Sequence, residues 1–232
     1  MPEETVDAMP LAPVTSTWAG GYVGLFAGYG WSEVDVSEPY SDDAGFFFND
    51  PYTDDFSLDA DGFFGGVTAG YNWQAGNIVF GVEGEIGYLD LDESDVDPNS
   101  TEIYGGDTVA SFDSDLYGAV TARLGFGTDR ILIYGKGGVA FLNAEGSIVD
   151  DCDTGACGLG LIDMHEDETL TGWTIGGGLE VLVSDAWSIK GEYMYMDFGN
   201  LDLDGTDSFG NTYDSSMDVD VHTVKLGLNY RF

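Results

Sequence analysis

Positive charge is scarce in this sequence, which has six Lys and Arg residues against 43 Asp and Glu and a formal net charge of −37. Such a chain repels the phosphate backbone of nucleic acids, so DNA and RNA are excluded as partners. Cysteine and histidine are also rare, at two residues each. No zinc-ligand spacing, phosphate-binding loop or dinucleotide fingerprint is present. We therefore expect neither a nucleic-acid-binding protein nor an enzyme.

Long apolar runs are missing as well, and no stretch of about 18 apolar residues could form a transmembrane helix. A transmembrane β-strand needs only about 9–11 residues of alternating character, so a membrane barrel stays open. Residues 1–17 are acidic and contain proline, without the basic and apolar regions of a secretory signal. We interpret residues 1–17 as a flexible periplasmic tail and residues 18–232 as one β domain.

Alternation of apolar and polar residues with a period of two recurs eight times, whereas helical periodicity does not. The eight predicted strands lie at residues 22–31, 66–73, 78–88, 116–126, 131–141, 173–183, 187–195 and 222–232. One face of each strand is apolar and rich in Trp and Tyr. The opposite face carries glycine, hydroxyl and charged residues.

The connections between these strands alternate in length. Three are tight, at residues 74–77, 127–130 and 184–186. Four are long, at roughly residues 33–61, 90–115, 143–169 and 197–220, and they hold 34 of the 43 acidic residues and no Lys or Arg. Short periplasmic turns and long outer loops are typical of bacterial outer-membrane barrels, whereas a soluble β-sandwich does not require this rhythm.

The sequence therefore predicts an all-β, eight-stranded antiparallel up-and-down transmembrane β-barrel. Its four acidic loops are extracellular and both termini are periplasmic, in the outer membrane of a Gram-negative bacterium. Outer-membrane lipid and lipopolysaccharide are the expected surroundings.

Charged residues on the polar faces of the strands predict a network inside the barrel. They comprise four glutamates and five of the six cations: Glu83, Glu85, Arg123, Lys136, Glu180, Lys190, Glu192, Lys225 and Arg231. An eight-stranded barrel is just wide enough for side chains to fill it, and an unpaired enclosed ion costs several kcal/mol. We expect a lumen plugged by ion pairs rather than a pore. The alternative is solvated charges on the wet face of an open sheet.

Several segments resemble a known family, including WAGGYVGLFAGYGW (18–31), GWTIGGGLEVLVSDAWSIKGEYMYMDFG (172–199) and VKLGLNYRF (224–232). Together they resemble the small "porin family" or outer-membrane immunogenic barrels of alphaproteobacteria, which share the architecture of the OmpA-type membrane domain. The resemblance implies surface exposure, antigenicity and a role in envelope integrity. It also implies that Tyr230 and Phe232 form the C-terminal signal read by the outer-membrane assembly machinery. Phe26 departs from the pattern, because a small or polar inward residue is expected there.

The acidic loops contain candidate metal ligands. Asn200, Asp202 and Asp204 match part of the calcium-loop pattern, and Asp90 and Asp92 belong to a run of carboxylates. No cofactor is required, but Ca²⁺ or Mg²⁺ at these loops would bridge them to lipopolysaccharide, to a surface partner or to further copies in a homo-oligomer. The alternative is an acidic, solvated loop without an ion.

Two further predictions concern the cysteines and one of the histidines. Cys152 and Cys157 have a spacing that predicts a disulfide in an oxidising compartment, with two free thiols as the alternative. His222 with Ser215 or Ser216 is a candidate pair for a lipid hydrolase, although no nucleophile motif is present.

Overall fold

The computed structural model describes residues 18–36, 56–96, 108–150, 162–206 and 212–232. Eight antiparallel strands close into a barrel in which each strand pairs with the next and β8 pairs with β1. The strands are β1 Gly20–Val36, β2 Phe56–Ala75, β3 Ile78–Val96, β4 Thr108–Gly127, β5 Ile131–Asp150, β6 Ile162–Leu182, β7 Trp187–Thr206 and β8 Thr212–Arg231. No helix in these residues is long and apolar enough to cross a membrane. The predicted eight-stranded antiparallel barrel is confirmed.

The three tight connections lie at one end of the barrel, which we call the turn end. The β2–β3 turn is the shortest, and Gly76 adopts a left-handed conformation there, with φ at 61°. Such a conformation is strained for residues with a Cβ. The start of β1 and the end of β8 also meet here, because the Phe232 amide donates a hydrogen bond of 3.0 Å to the Gly21 carbonyl. We call the opposite end the loop end.

The strands are longer than the sequence predicted, from 17 residues in β1 to 21 in β6. The predicted loop boundaries are therefore wrong: for example, β7 continues to Thr206 and β8 already begins at Thr212. A bilayer needs strands of only about 9–11 residues, so roughly half of each strand lies beyond the apolar band. The reason is that alternation continues through the acidic segments, as in β7, where buried Leu201 and Leu203 flank exposed Asp202.

The chemistry of the two barrel faces inverts between the two halves. In the turn-end half of β8, Lys225 points inward and Leu226 outward. In the loop-end half of the same strand, Val219 points inward while the exposed Asp218 points outward. The alternation itself is unbroken, so the strand keeps its register while its apolar face changes sides. The turn-end half is apolar outside and polar inside, and the loop-end half is the reverse.

In the loop-end half, two of the eight strand ladders are interrupted. The β2–β3 ladder ends at Asp61 opposite Asp92. The β6–β7 ladder ends at Trp173 opposite Asp197, with one further pair between Met164 and Gly205. The other six ladders continue to the loop end. Strands β3 to β6 therefore form one four-stranded sheet, and β7, β8, β1 and β2 form the other.

The two sheets enclose an apolar core, as in a β-sandwich. Its members include almost fully buried side chains from seven strands: Leu58, Leu89, Leu91, Phe112, Leu142, Met164, Leu201 and Met217. Gly146 of β5 lies so close to β7 that a Cβ there would stand 2.9 Å from Leu201 Cδ2. Packed apolar side chains therefore fill the interior above the apolar band.

Candidate functional site

The predicted charged residues converge inside the turn-end half, where inward glycines leave room for long side chains. A Cβ at Gly70 would stand 2.2 Å from the Tyr22 hydroxyl oxygen, and a Cβ at Gly178 would stand 2.9 Å from that of Tyr134. Each tyrosine therefore lies over the glycine that is paired with it on the neighbouring strand. This arrangement brings its hydroxyl group to the carboxylates at the centre.

Lys136 is the centre of the ion cluster. Its Nζ lies 2.7 Å from Glu83 Oε1, 2.6 Å from Glu192 Oε1 and 3.3 Å from Glu85 Oε2. Lys190 bridges two of the same carboxylates, with its Nζ 3.1 Å from Glu83 Oε2 and 2.6 Å from Glu192 Oε2. The three shortest of these distances, 2.6 and 2.7 Å, are those of charge-assisted hydrogen bonds.

Lys225 extends the cluster toward the loop end. Its Nζ lies 2.6 Å from Glu85 Oε2, and the Tyr117 hydroxyl donates a 3.0 Å hydrogen bond to Glu85 Oε1. The ammonium group also lies 4.7 Å from the centroid of the Phe26 ring. A cation over an aromatic face is attracted by the ring quadrupole, so Phe26 is a partner of the cluster as well as a filler of the lumen.

Arg123 extends the cluster toward the turn end. Its NH1 lies 3.6 Å from Glu83 Oε2 and 3.5 Å from Glu180 Oε2, and its Nε donates a 2.8 Å hydrogen bond to Asn72 Oδ1. The guanidinium group also lies 4.5 Å from the centroid of the Tyr22 ring. Arg123 is thus held by two carboxylates, an amide and an aromatic face.

The cluster is neutral and buried. It contains four glutamates and four cations, and none of these eight residues is more than 6% exposed. The carboxylates of Glu83, Glu85 and Glu192 lie close enough together to hold a metal ion, with ligand atoms within 4.8 Å of one another. The ammonium groups of Lys136 and Lys225 contact the same oxygens, so they supply the positive charge that a metal would bring.

Apolar and aromatic side chains border the cluster at both ends. At the turn end, Trp18 is fully buried and its Nε1 donates a 2.7 Å hydrogen bond to the Thr128 carbonyl. Toward the loop end, the rings of Phe26, Phe64 and Tyr117 pack together with centroids 5.8 to 6.3 Å apart. The apolar core of the sandwich continues beyond these rings.

The structure brings together eight of the nine residues predicted for the interior. The ninth, Arg231, lies apart from them at the turn end, where its guanidinium group is 4.9 Å from the centroid of the Trp18 ring. Charge patterning did not identify Trp18, Tyr22, Tyr117 and Tyr134 as members of the site. The last two stand on the polar face of their predicted strands, which is the signal that could have revealed them.

The calcium-loop interpretation of residues 200–204 is wrong in its local structure. Asn200, Asp202 and Asp204 are exposed side chains on β7, not members of a loop. Neighbouring same-face residues on a strand stand about 7 Å apart, so they do not wrap around one ion. Asp90 and Asp92 likewise lie on β3. The tail 1–17 and the pair Cys152 and Cys157 lie outside the described residues, so the tail and the disulfide stay predictions.

The hydrolase pair is not formed either. The His222 ring stacks on Trp31 at an interplanar angle of 12°, and its Nδ1 lies 2.7 Å from the Tyr193 hydroxyl. Ser215 and Ser216 lie on the same strand as His222, so the extended backbone separates them from it by about 20 Å. Neither of the two proposed serines is therefore within reach of His222.

The two residues of the predicted C-terminal signal lie on the outer face of the turn end. Tyr230 is 43% exposed and Phe232 is 77% exposed. Tyr230 packs edge-on against Trp187, with ring centroids 5.1 Å apart. Their recognition by an assembly machinery stays a prediction.

Comparisons with known proteins agree with this architecture. The family model for the outer membrane protein beta-barrel domain matches residues 5–232. The 31 kDa outer-membrane immunogenic protein of Brucella melitensis is 34% identical over 100% of this chain and 93% of its own length. The 22 kDa outer membrane protein of Rhizobium leguminosarum is 32% identical over 74% of this chain and 67% of its own length.

Among solved structures, the outer membrane protein OprG of Pseudomonas aeruginosa aligns with a TM-score of 0.57. The alignment covers 92% of this chain and 96% of that chain at 15% identity, so the likeness is one of fold. The turn end is accordingly periplasmic and the loop end extracellular. The chain belongs to the outer-membrane β-barrel family, with alphaproteobacterial immunogenic outer-membrane proteins as its relatives, and its place is the outer membrane of a Gram-negative bacterium.

Proposed function

We propose that this protein is a structural, surface-exposed barrel that contributes to envelope integrity and does not conduct ions. The observation that carries this proposal is the neutral ion cluster across the lumen, with Trp18 on one side and the ring of Phe26 on the other. A conducting path would have to separate buried ion pairs. Separation leaves uncompensated charges, which costs about 3–5 kcal/mol for each broken pair.

Planar-bilayer recordings test the sealed lumen. We expect the purified protein to give no reproducible open-channel conductance, whereas a wide porin inserted under the same conditions gives discrete steps. A large and stable conductance from the folded protein would contradict the proposal. The role in the envelope has its own test: a strain without the gene should become more sensitive to detergents, and expression of the intact gene should restore resistance.

A second candidate function is the binding of divalent cations by the extracellular wall, which would link it to lipopolysaccharide, to surface partners or to further copies. Strand register favours this candidate. Asp59 stands opposite Glu33, Glu33 opposite Asp220, and Asp220 opposite Asp197, so carboxylates face one another across four adjacent strands. Like charges directly opposite each other destabilise a sheet. Bound Ca²⁺ or Mg²⁺ would relieve this repulsion.

Titration calorimetry with CaCl₂ tests this candidate. We expect heat of binding with the unaltered protein and a smaller signal with the double variant E33Q/D220N. The matched control is D129N/D185N, which removes the same charge from exposed positions of the periplasmic turns. An absence of heat, together with an unchanged melting temperature after chelation, would rule the candidate out.

A further inference from the structure

An apolar groove with a volume of about 870 Å³ follows the outer face of the barrel. It begins beside Trp187 and Tyr230 at the periplasmic end and reaches Asn143 and Thr169 on the extracellular side. Glu85 borders it only through its backbone, because its carboxylate belongs to the ion cluster in the lumen. We call this feature the outer groove. Its volume lies in the range of small-molecule binding sites, about 300–1,000 Å³.

Small residues of three neighbouring strands form the floor of the outer groove. Ala69 of β2 is paired with Gly84 of β3, and Gly118 of β4 is paired with Ile86, two residues further along β3. Larger side chains that point outward, among them Leu25 and Ile86, border the groove. The outer surface is therefore lower along this floor than along its borders.

Gly84 is the most informative residue of the floor. A glycine in the interior of a strand weakens it, and such a glycine marks a bulge, a bend or the close approach of a ligand or another backbone. Gly84 is paired with both Ala69 and Val120, so the register has no bulge there. Among the described residues, no atom lies within 4 Å of the position that a Cβ of Gly84 would occupy. The space in front of Gly84 is thus left for a molecule outside the barrel.

The surroundings of the outer groove determine which molecule this is. A soluble partner does not enter the hydrocarbon layer, which consists of acyl chains. A second copy is disfavoured, because each copy exposes carboxylates such as Glu33, Asp59 and Asp218 on its extracellular wall and carries a net charge of −37. Adjacent copies would therefore repel each other. An acyl chain matches the apolar lining, and it gains dispersion contacts where it fills the depression.

The extracellular end of the outer groove carries a polar pair. The Thr169 hydroxyl donates a 2.8 Å hydrogen bond to Asn143 Oδ1, and both side chains are exposed on the outer face. This pair is uncharged, and its hydroxyl oxygen and amide nitrogen offer one acceptor and one donor to a ligand. Its position selects a lipid whose polar part lies in the outer leaflet. Lipopolysaccharide is the lipid of that leaflet, and it carries amide and hydroxyl groups at the roots of its acyl chains.

From these features we infer that the outer groove is a binding site for one acyl chain of lipopolysaccharide. The chain lies over Ala69, Gly84 and Gly118, and the amide or hydroxyl group at its root forms hydrogen bonds with Asn143 and Thr169. This contact needs no divalent cation, which distinguishes it from the cation-mediated link considered above. It is also separate from the sealed lumen and goes beyond the structural role.

Native mass spectrometry of the full-length, delipidated protein tests the inference by titration with hexa-acylated lipid A in the presence of EDTA. We expect a saturable complex of one lipid A with one barrel. Gly84→Leu should weaken it at least about tenfold, because the new side chain occupies the floor of the groove. Gly84→Ala, which fills less of the groove, should have an intermediate effect and serves as the test if the leucine variant does not fold.

The matched control for the floor is Gly135→Leu. Gly135 does not line the groove, and a Cβ there would be 3.7 Å from its nearest listed neighbour, the Gly176 carbonyl oxygen, which is an ordinary contact. This variant adds the same side chain to the outer surface elsewhere. It should keep the affinity for lipid A within about twofold.

A second pair of variants tests the polar end. Thr169→Val removes the hydroxyl at the groove and should weaken lipid A binding about three- to tenfold, as the loss of a hydrogen bond requires. Thr171→Val makes the same change at the next outward position of β6, which does not line the groove. Its affinity should stay within about twofold. Phosphatidylcholine, which lacks amide and hydroxyl groups at its chain roots, should bind more weakly than lipid A.

Four results would overturn the inference. They are an absence of saturable lipid A binding, an equal loss of affinity in the Gly84 and Gly135 variants, equal binding of phosphatidylcholine and lipid A, and a dimer of the protein that Gly84→Leu abolishes. The last result would place a second copy in the groove. None of these results bears on the bilayer recordings, so failure here leaves the sealed lumen standing.

Discussion

Lys136 Nζ lies 2.7 Å from Glu83 Oε1 in the barrel lumen, although 53 residues separate the two in the chain. Glu83 is on β3 and Lys136 on β5, and Thr121 of the intervening β4 pairs with Glu83. The contact therefore exists only after three strands have taken their register. The contacts of Lys190 with Glu83 and of Lys225 with Glu85 also bring β7 and β8 to β3, so the complete cluster forms only when the barrel has closed.

The variant Arg123→Ala should lower the free energy of unfolding by about 3–5 kcal/mol. It leaves the buried Glu180 without its cation and removes one of the three cations around Glu83. Urea unfolding in detergent micelles or lipid vesicles measures this change. The matched control is Arg130→Ala, at an exposed position between β4 and β5. Its effect should stay within about 0.5 kcal/mol. Equal urea resistance of the two variants would refute an energetically important cluster.

Lys225 and Glu85 allow a double-mutant cycle, since their contact is the shortest that either residue makes to an opposite charge. Lys225→Met and Glu85→Gln should each destabilise the barrel, because each strands one buried charge. The double variant should lose less than the sum of the two, with a coupling free energy of about 1–3 kcal/mol. Additive losses in urea unfolding would show that the two side chains do not stabilise each other.

The strand number and the inward direction of the cluster could be predicted from the sequence, because both follow from local alternation. The residues that alternate with Lys136, Lys190 and Lys225 along their strands are apolar. This alternation alone predicts that the three lysines point into the barrel. Their individual partners could not be predicted. Each partner depends on the vertical offset between strands, which is set by barrel closure and not by local sequence.

The extracellular half was predicted wrongly for a different reason. Charge density marked residues 197–220 as a loop, yet the pattern Leu-Asp-Leu-Asp at 201–204 is alternation of the same period. Its apolar residues face inward, opposite to those of the membrane band, as buried Leu201 and Met217 show. We searched for strands whose apolar residues lie on the outer face of the barrel. That criterion does not detect strands whose apolar residues lie on the inner face. The interruption of the β2–β3 and β6–β7 ladders in this half is a tertiary effect with no local signal.

Trp18 should contribute more to the free energy of unfolding than a tryptophan on the lipid face does. The variant Trp18→Ala removes a fully buried indole and should cost about 3–5 kcal/mol in urea unfolding. Trp18→Phe keeps most of the volume and should cost less, while it still loses the hydrogen bond to Thr128. The control Trp73→Ala removes a tryptophan that is 44% exposed on the lipid face and should cost less than Trp18→Ala. A larger loss of stability in Trp73→Ala than in Trp18→Ala would contradict the burial of Trp18 inside the barrel.

The sandwich core of the extracellular half can be tested with two adjacent residues of β7. Leu203 is fully buried and Asp202 is exposed on the opposite face. Leu203→Ala should destabilise this half by about 2–5 kcal/mol, through lost burial and the cavity left behind. Asp202→Ala should change its stability by no more than about 0.5 kcal/mol. Hydrogen exchange at the paired β7–β8 amides measures both effects locally, even when the membrane half stays folded. In a solvated loop the two substitutions would act alike, so equal exchange rates in the two variants would refute the extended strands.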